Sequence, residues 1–400
     1  MNKTKTFVTF LILIPLISLS FHNVSDNLVL FTNAQNYENS WNHKQIGIQG
    51  AWEFTNGSRE ITVAILDSGI DFSHPELADA EWINEDEIAN NSIDDDSNGY
   101  IDDTHGWDFI SDDNTPGPEE LDPVMWHGTF CAGVVAAARN DDFTVGVAPN
   151  VTVMDVRILS FYETISCGYS GFGDAIKYAV DNGADVISIS IQYMTNSTLY
   201  YDDVLYAIEN NVPIVSITGN THQPTGGIEF QSFPGGLDEI ISVGATNPSK
   251  DKADYSNYGE WTEIVAPVGD EVGPTRMYST MPYDVYDSYV GWSWGTSFAC
   301  PQVAGVIALM RTLNHSISVA EIRDILHTTA VDLGDPGKDI YFGYGLLNAT
   351  AAVAETYYRH VDPSARPTTP TSISFIAIGL AVIFLAVLPI TLKKMKNKKK

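Results

Sequence analysis

Cysteine is scarce in this chain of 400 residues. The three present, Cys131, Cys167 and Cys300, make no disulfide framework and no Cys-x-x-Cys pair, which excludes a stapled mini-scaffold and a zinc ribbon. One pair could form, and at least one thiol stays free or pairs between chains. Basic residues are also few: 21 Lys and Arg against 51 Asp and Glu, a formal net charge of −30. Lys3, Lys5 and the six lysines of 393–400 stand at the termini, so only 13 basic residues face all the acidic ones in the body. A body so acidic repels phosphate backbones, which excludes direct nucleic-acid binding. Charged residues make up 18% and hydrophobic ones 44%, so the chain is not disordered, collagen-like or coiled-coil and has material for a sizeable core.

The two ends carry what the body lacks. Met-Asn-Lys-Thr-Lys and the apolar run from Phe7 to about Phe21 read as a signal peptide over 1–21; an uncleaved anchor helix is the other reading. Residues 373–392 contain no charge, and a helix of that length covers a hydrocarbon core of ~30 Å. Lys393, Lys394, Lys396, Lys398, Lys399 and Lys400 follow directly and predict a basic cytoplasmic tail over 393–400. Residues 359–372, with three prolines, predict an extended Pro/Thr stalk. The expectation is a single-pass protein of the cell membrane with its body outside. Asn-x-Ser/Thr sequons at Asn23, Asn56, Asn90, Asn150, Asn196, Asn314 and Asn348 fit an exported chain, though a sequence rich in Asn, Ser and Thr produces several by chance.

The body, 37–358, alternates two patterns. Apolar, β-branched runs at 61–66, 151–156, 186–191, 212–217 and 239–245 predict strands. Amphipathic patterns at 171–183 and 202–211, and longer ones at 296–313 and 319–328, predict helices. Continuous apolar strands between such helices define an α/β fold with a parallel β-sheet covered on both faces.

Three motifs and one asparagine carry the chemistry. Asp67 ends the first strand in ILDSGID, and open parallel sheets hold their chemistry at strand carboxyl ends. His127 opens WHGTFCAGVVAAA, a run of small residues suited to a tightly packed helix. Ser297 lies in GTSFACPQVAGVIALM, where Pro301 fits an early helical turn. Taken singly they read as a turn aspartate, a structural histidine and a cap. Together they supply a nucleophile, the base that takes its proton and the group that orients that base. The Ser297 backbone N–H and the side-chain amide of Asn220, in SITGN, can serve as oxyanion donors.

From near Trp41 to near Glu355 the chain resembles the subtilisin-like serine proteases, the subtilase family. The resemblance rests on DSGID (67–71), HGTFCAG (127–133), TGN (218–220), YSNYG (255–259), GTSFACP (295–301) and FGYGLLNA (342–349), which occur in the family's order. It implies a subtilisin-like fold, polypeptide substrates, a triad of Asp67, His127 and Ser297, Asn220 as the oxyanion residue and Cys131 as a free thiol beside the triad. It also implies that Ser190, Ile191 and Gln192 flank the substrate. There the family usually shows Ser-Leu-Gly, and Gln192 replaces the glycine that lets a peptide approach. Phe130 stands where the family usually has a second histidine, and Val268 where it has glycine. Between the signal and the catalytic domain this reading leaves no room for a long inhibitory prodomain.

Residues 94–105 read DDDSNGYIDDTH. Calcium takes about six to eight oxygen ligands, and an EF-hand draws them from alternate positions around a glycine at the sixth. Asp94, Asp96, Asn98, Tyr100 through its carbonyl and Asp102 fit that spacing; His105 replaces the last glutamate, with Asp103 as a substitute. The loop is expected to hold one structural Ca²⁺ and to tie the insertion to the sheet end that carries Asp67; a solvated acidic loop is the plain alternative. The functional expectation is an extracellular, membrane-anchored serine endopeptidase. The alternative is a catalytically inactive subtilase fold acting as a calcium-dependent surface binding protein. An α/β-hydrolase esterase is excluded, because it needs Gly-x-Ser-x-Gly and the order Ser, Asp/Glu, His.

Overall fold

The structure, a computed structural model, describes residues 40–367 except 120–121, 141–142, 162–167, 194–197, 222–230, 272–275 and 284–287. The signal segment, the apolar run 373–392, the basic tail and Cys167 lie outside the described residues. Among those described, no helix is long and apolar enough to cross a membrane.

Seven parallel strands form one sheet. In chain order they are β1 (Thr62–Asp67), β2 (Trp107–Asp108), β3 (Thr152–Arg157), β4 (Val186–Ile189), β5 (Ile214–Ile217), β6 (Ile241–Thr246) and β7 (Ile264–Pro267). Their order across the sheet is β2-β3-β1-β4-β5-β6-β7. Successive side chains of a strand point to opposite faces. In β1, Val63 and Ile65 enter one apolar layer and Ala64 and Leu66 the other, so all four are buried. That double burial is why the run carries no polar alternation.

The first layer holds α1 (Trp41–Ile46), α2 (Ile48–Ala51), α3 (Trp126–Ala136), α6 (Cys300–Leu313), α7 (Val319–Thr329) and α8 (Ala349–His360). The second holds α4 (Gly168–Asp181) and α5 (Tyr201–Glu209). Helix α6 is buried from Cys300 to Arg311, which explains its apolar sequence on every face. Two helix starts are legible as caps: the Ser318 hydroxyl accepts from Glu321 N at 3.1 Å, and Asn348 Oδ1 accepts from Ala351 N at 3.1 Å.

The sequence runs correspond to β1, β3, β4, β5 and β6. Strand β2 has two residues, too few for a periodic signal. An antiparallel hairpin, β8 (Met277–Thr280) with β9 (Val290–Ser293), was also not anticipated. It is fastened to α3, where Ser279 Oγ donates to Phe130 O at 2.8 Å and Thr280 Oγ1 to Thr129 O at 2.7 Å. The stalk was expected from residue 359; α8 instead continues to His360, Pro363–Ala365 forms a short turn, and Arg366 donates back to Glu355 Oε1 at 2.8 Å.

Candidate active site

Strand β1 is where the sheet changes direction: β2 and β3 lie to one side of it and β4 onward to the other. Such a switch leaves a crevice beyond the strand carboxyl ends. Asp67, the last residue of β1, stands there and is buried. Ser68 N donates to its Oδ1 at 2.8 Å. His127, in the first turn of α3, places Nδ1 at 2.8 Å from Oδ1 and 3.0 Å from Oδ2. Two carboxylate oxygens around Nδ1 put the proton on that nitrogen and leave Nε2 to accept. The pair depends on a close approach of backbones. A Cβ on Gly128 would stand 2.5 Å from Gly69 O, so only glycine lets α3 begin on the end of β1. Gly128 N also donates to Ser68 Oγ at 3.0 Å, a tie the motif spacing did not reveal.

Ser297 lies in the tight turn Thr296–Phe298 that leads into α6 and is buried. Its hydroxyl donates to Ser190 O at 3.2 Å, and Ser190 Oγ donates to Ser297 O at 2.7 Å. Cys131 touches both partners of the reaction: its Sγ is 4.0 Å from His127 Nδ1 and donates to Ser297 O at 3.6 Å. The serine and the imidazole are therefore neighbours. The hydroxyl rests on Ser190, as expected where the catalytic bond tightens only with substrate present. Burial pushes the Cys131 thiol well above its ordinary value, with the Asp67 carboxylate adding to the effect, so it stays a protonated thiol. Cys131 and Cys300 are both free and buried.

Asn220 follows β5. Its Oδ1 accepts from Thr296 N at 2.8 Å and Thr296 Oγ1 at 2.9 Å. Two donors fix which end of the amide is oxygen and leave Nδ2 as a donor beside Ser297. Thr296 is thus a supporting residue that the motif contained without showing its role. Of the three expected substrate-flanking residues, Ser190 bonds Ser297, Ile191 is buried in the second apolar layer, and Gln192 turns its Oε1 to Asn220 N at 2.7 Å. Phe130 is buried against Phe298 with ring centroids 4.3 Å apart, and Phe298 also packs on the His127 ring at 5.4 Å, so Phe130 has a packing role next to the triad.

Asp96 and Asn98 of the acidic loop lie by the other end of the sheet. Trp82 N donates to Val153 O near the start of β3, and the chain after the loop enters β2, whose Trp107 and Asp108 pair with Val156 and Arg157 at the end of β3. A cleft beside the loop is lined by Asp96, Asn98, Thr62 and Thr152, the last two opening β1 and β3. The expected link to the Asp67 end is therefore indirect: Asp96 and Asn98 lie beside the strand starts, while β2, which follows the loop, pairs with Val156 and Arg157, the latter opposite Asp67. Within the loop, Asp94 accepts from Asn98 N and Gly99 N, both at 3.0 Å. Asp96 accepts from Asn84 Nδ2 and Asn98 Nδ2, both at 3.0 Å. Asn98 Oδ1 accepts from Tyr100 N at 2.8 Å. The Tyr100 ring packs against Trp107, Phe109 and Tyr178, and burial pushes its hydroxyl up to about 12. Asp102 faces elsewhere and accepts from Asn91 N and Ser92 N, both at 2.9 Å. The carboxylate oxygens that converge within 4.8 Å belong to Glu87, Asp96 and Asp103. Asp103 is buried, held by Tyr178 OH at 2.7 Å, and burial raises its pKa. Glu87 comes from outside the twelve-residue count; the acidic run Glu85-Asp86-Glu87 just upstream was the only signal for it.

A buried carboxylate on an imidazole, a serine near it and an asparagine amide held by the residue before that serine are the parts of a serine hydrolase site for acyl transfer. The chain belongs to the subtilase family, whose model matches residues 58–345. It is 33% identical over 304 residues to the thermophilic serine proteinase of Bacillus sp. (strain AK1), covering 76% of this chain and 64% of that protein. It is 30% identical over 304 residues to thermitase of Thermoactinomyces vulgaris, covering 76% of this chain and 91% of that protein. Among solved structures, a lanthipeptide protease superimposes with a TM-score of 0.63 at 26% identity, covering 80% of this chain and 94% of that one.

Proposed function

We propose that this chain is an extracellular, membrane-anchored serine endopeptidase. The observation that carries the activity is the Asp67–His127 pair set beside Ser297 and Asn220. His127 Nε2 takes the Ser297 hydroxyl proton as Oγ bonds the scissile carbonyl carbon. The carbonyl electron pair moves onto oxygen, where Ser297 N–H and Asn220 Nδ2 donate to it. The C–N bond then breaks, and His127 returns the proton to the leaving amine. Water repeats the sequence on the acyl-enzyme and frees the acid. Asp67 keeps Nδ1 protonated throughout and balances the imidazolium. The test is cleavage profiling on a peptide library together with fluorophosphonate labelling. Labelling of Ser297 with peptide turnover supports the reading; an inert wild-type chain would favour the surface binding protein instead.

Anchoring rests on the charge-free run 373–392 and the lysines after it, and export on the basic, apolar start. Protease added to intact cells is expected to shave the catalytic domain and spare the 393–400 tail. A tail accessible before lysis would reverse the topology.

Calcium is proposed for the acidic loop. Its support is the convergence of Glu87, Asp96 and Asp103, hard oxygen donors of the kind Ca²⁺ selects. Neutralising mutual repulsion there stabilises the folded state alone, by about 2.7 kcal/mol at a free concentration one hundred times the dissociation constant. Because Asp96 lies by the amino ends of β1 and β3, away from Asp67, removing calcium should lower the melting temperature while leaving turnover per folded site unchanged. Melting of the Ser297→Ala chain with calcium and with chelator checks this, since that chain cannot digest itself. A melting temperature indifferent to chelator would refute the site, and a calcium shift that survives Asp96→Ala would move it elsewhere.

A further inference from the structure

Asn220 can stabilise an oxyanion only if its amide is already aimed when charge develops, so what holds it matters as much as the amide itself. Its side chain is held through Oδ1 by Thr296. Its backbone is held through the peptide that joins it to Gly219. The carbonyl of that peptide accepts from Asn257 N at 2.9 Å. The N–H of the same peptide donates to Gln192 Oε1 at 2.7 Å. Gly219 has φ +101, and a Cβ there would stand 2.5 Å from Gln192 Oε1 and 2.7 Å from both Asn257 Nδ2 and Ser232 Oγ. Three side chains thus crowd this peptide. The Gln192 oxygen accepts its N–H, and no side chain at 219 could share the space.

We infer that Gln192 is a positioning residue for the oxyanion donor Asn220. It acts from the segment after β4, across to the segment after β5, by fixing the peptide plane that sets the direction of Asn220. A glycine at 192 has no side-chain atom to accept that N–H, so the family's usual residue there cannot supply this side-chain bond. The inference rests on the serine-protease reading of the site. It gives Gln192 a role in turnover that differs from lining a pocket: loss of the bond should lower kcat through Asn220 and leave substrate affinity nearly alone.

The experiment compares Gln192→Met, Asn220→Ala and the double variant on an alanine-P1 peptide anilide, with turnover expressed per fluorophosphonate-titrated site so that partial misfolding does not enter. Methionine keeps the length and removes the acceptor. The expected result for Gln192→Met is a roughly tenfold fall in kcat, the worth of one hydrogen bond, with KM changed less than about twofold. Asn220→Ala should lose ~10²–10³ in kcat, and adding Gln192→Met to it should cost less than about twofold more, because the two act as a unit. A Gln192→Met kcat equal to wild type overturns the inference, and so does a tenfold loss that persists undiminished in the Asn220→Ala background. In both cases an active wild type leaves the protease reading standing, whereas a wild-type chain inert to label and substrate overturns both.

Discussion

Replacing Ser297 by alanine is expected to lower kcat about a million-fold, the magnitude known for loss of the nucleophile in subtilisins. The reason is stoichiometric. Oγ is the atom that bonds the carbonyl carbon, and Cys131, the other nucleophilic atom within reach, stays a protonated thiol by burial. What survives should be the residual rate, ~10³–10⁴ over water, that oxyanion donors and substrate binding give without a nucleophile. Folding should hardly suffer. The variant loses one donation, from Ser297 Oγ to Ser190 O, worth about 1 kcal/mol. The reverse bond, from Ser190 Oγ to Ser297 O, remains. Turnover, fluorophosphonate labelling and a melting curve on the same preparation separate the two effects. Equal labelling of Ser297→Ala and wild type would remove Ser297 from the mechanism.

The parts of the site that could be read beforehand are those fixed by reaction chemistry. A strand-terminal aspartate, a histidine opening a small-residue helix and a serine ahead of a proline-marked helix are local patterns. Each stands where its element ends or begins, so sequence position alone orients it. What holds these groups is not local. Thr296 and Gln192 grip Asn220 across 76 and 28 residues of chain. No spacing rule reports such partners, because the sheet order brings them together and the intervening chain does not. Gln192 illustrates the difference. The resemblance placed it beside the substrate; which of its neighbours the amide would face depended on the β4–β5 pairing.

The acidic loop shows the same limit. Counting alternate oxygens assumes that every carboxylate faces one point. Asp102 has φ +56 and instead accepts the N–H groups of Asn91 and Ser92, a turn inside the insertion. Glu87 takes part from upstream, where its Oε1 accepts from Asp95 N at 2.8 Å. Both carboxylates accept local N–H groups, but Asp96 also has oxygens of Glu87 and Asp103 within 4.8 Å, a group that Asp102 does not join. That contrast favours Asp96 over Asp102 as the test position.

Asp67→Asn is expected to cost about 10⁴ in kcat, between the loss at Ser297 and the smaller one at Asn220. The two side chains have the same shape, and Ser68 N–H can still donate to the remaining oxygen, so the fold should persist. What changes is the direction of one hydrogen bond. In the native site both carboxylate oxygens face Nδ1 and hold the proton there. Asparagine offers one oxygen and one NH₂. With Oδ1 shared between Ser68 N–H and Nδ1, the NH₂ takes the Oδ2 place 3.0 Å from Nδ1, where its donor competes with the Nδ1 proton. The imidazole relieves the conflict by carrying its proton on Nε2, where it can no longer accept from Ser297 Oγ. The imidazolium that forms during attack also loses its counter-charge. The loss should therefore fall on kcat, with KM little changed, and labelling of Ser297 should slow without vanishing. Steady-state kinetics and timed fluorophosphonate labelling check this; a variant that keeps more than about a hundredth of wild-type kcat would show that Asp67 does not set the tautomer.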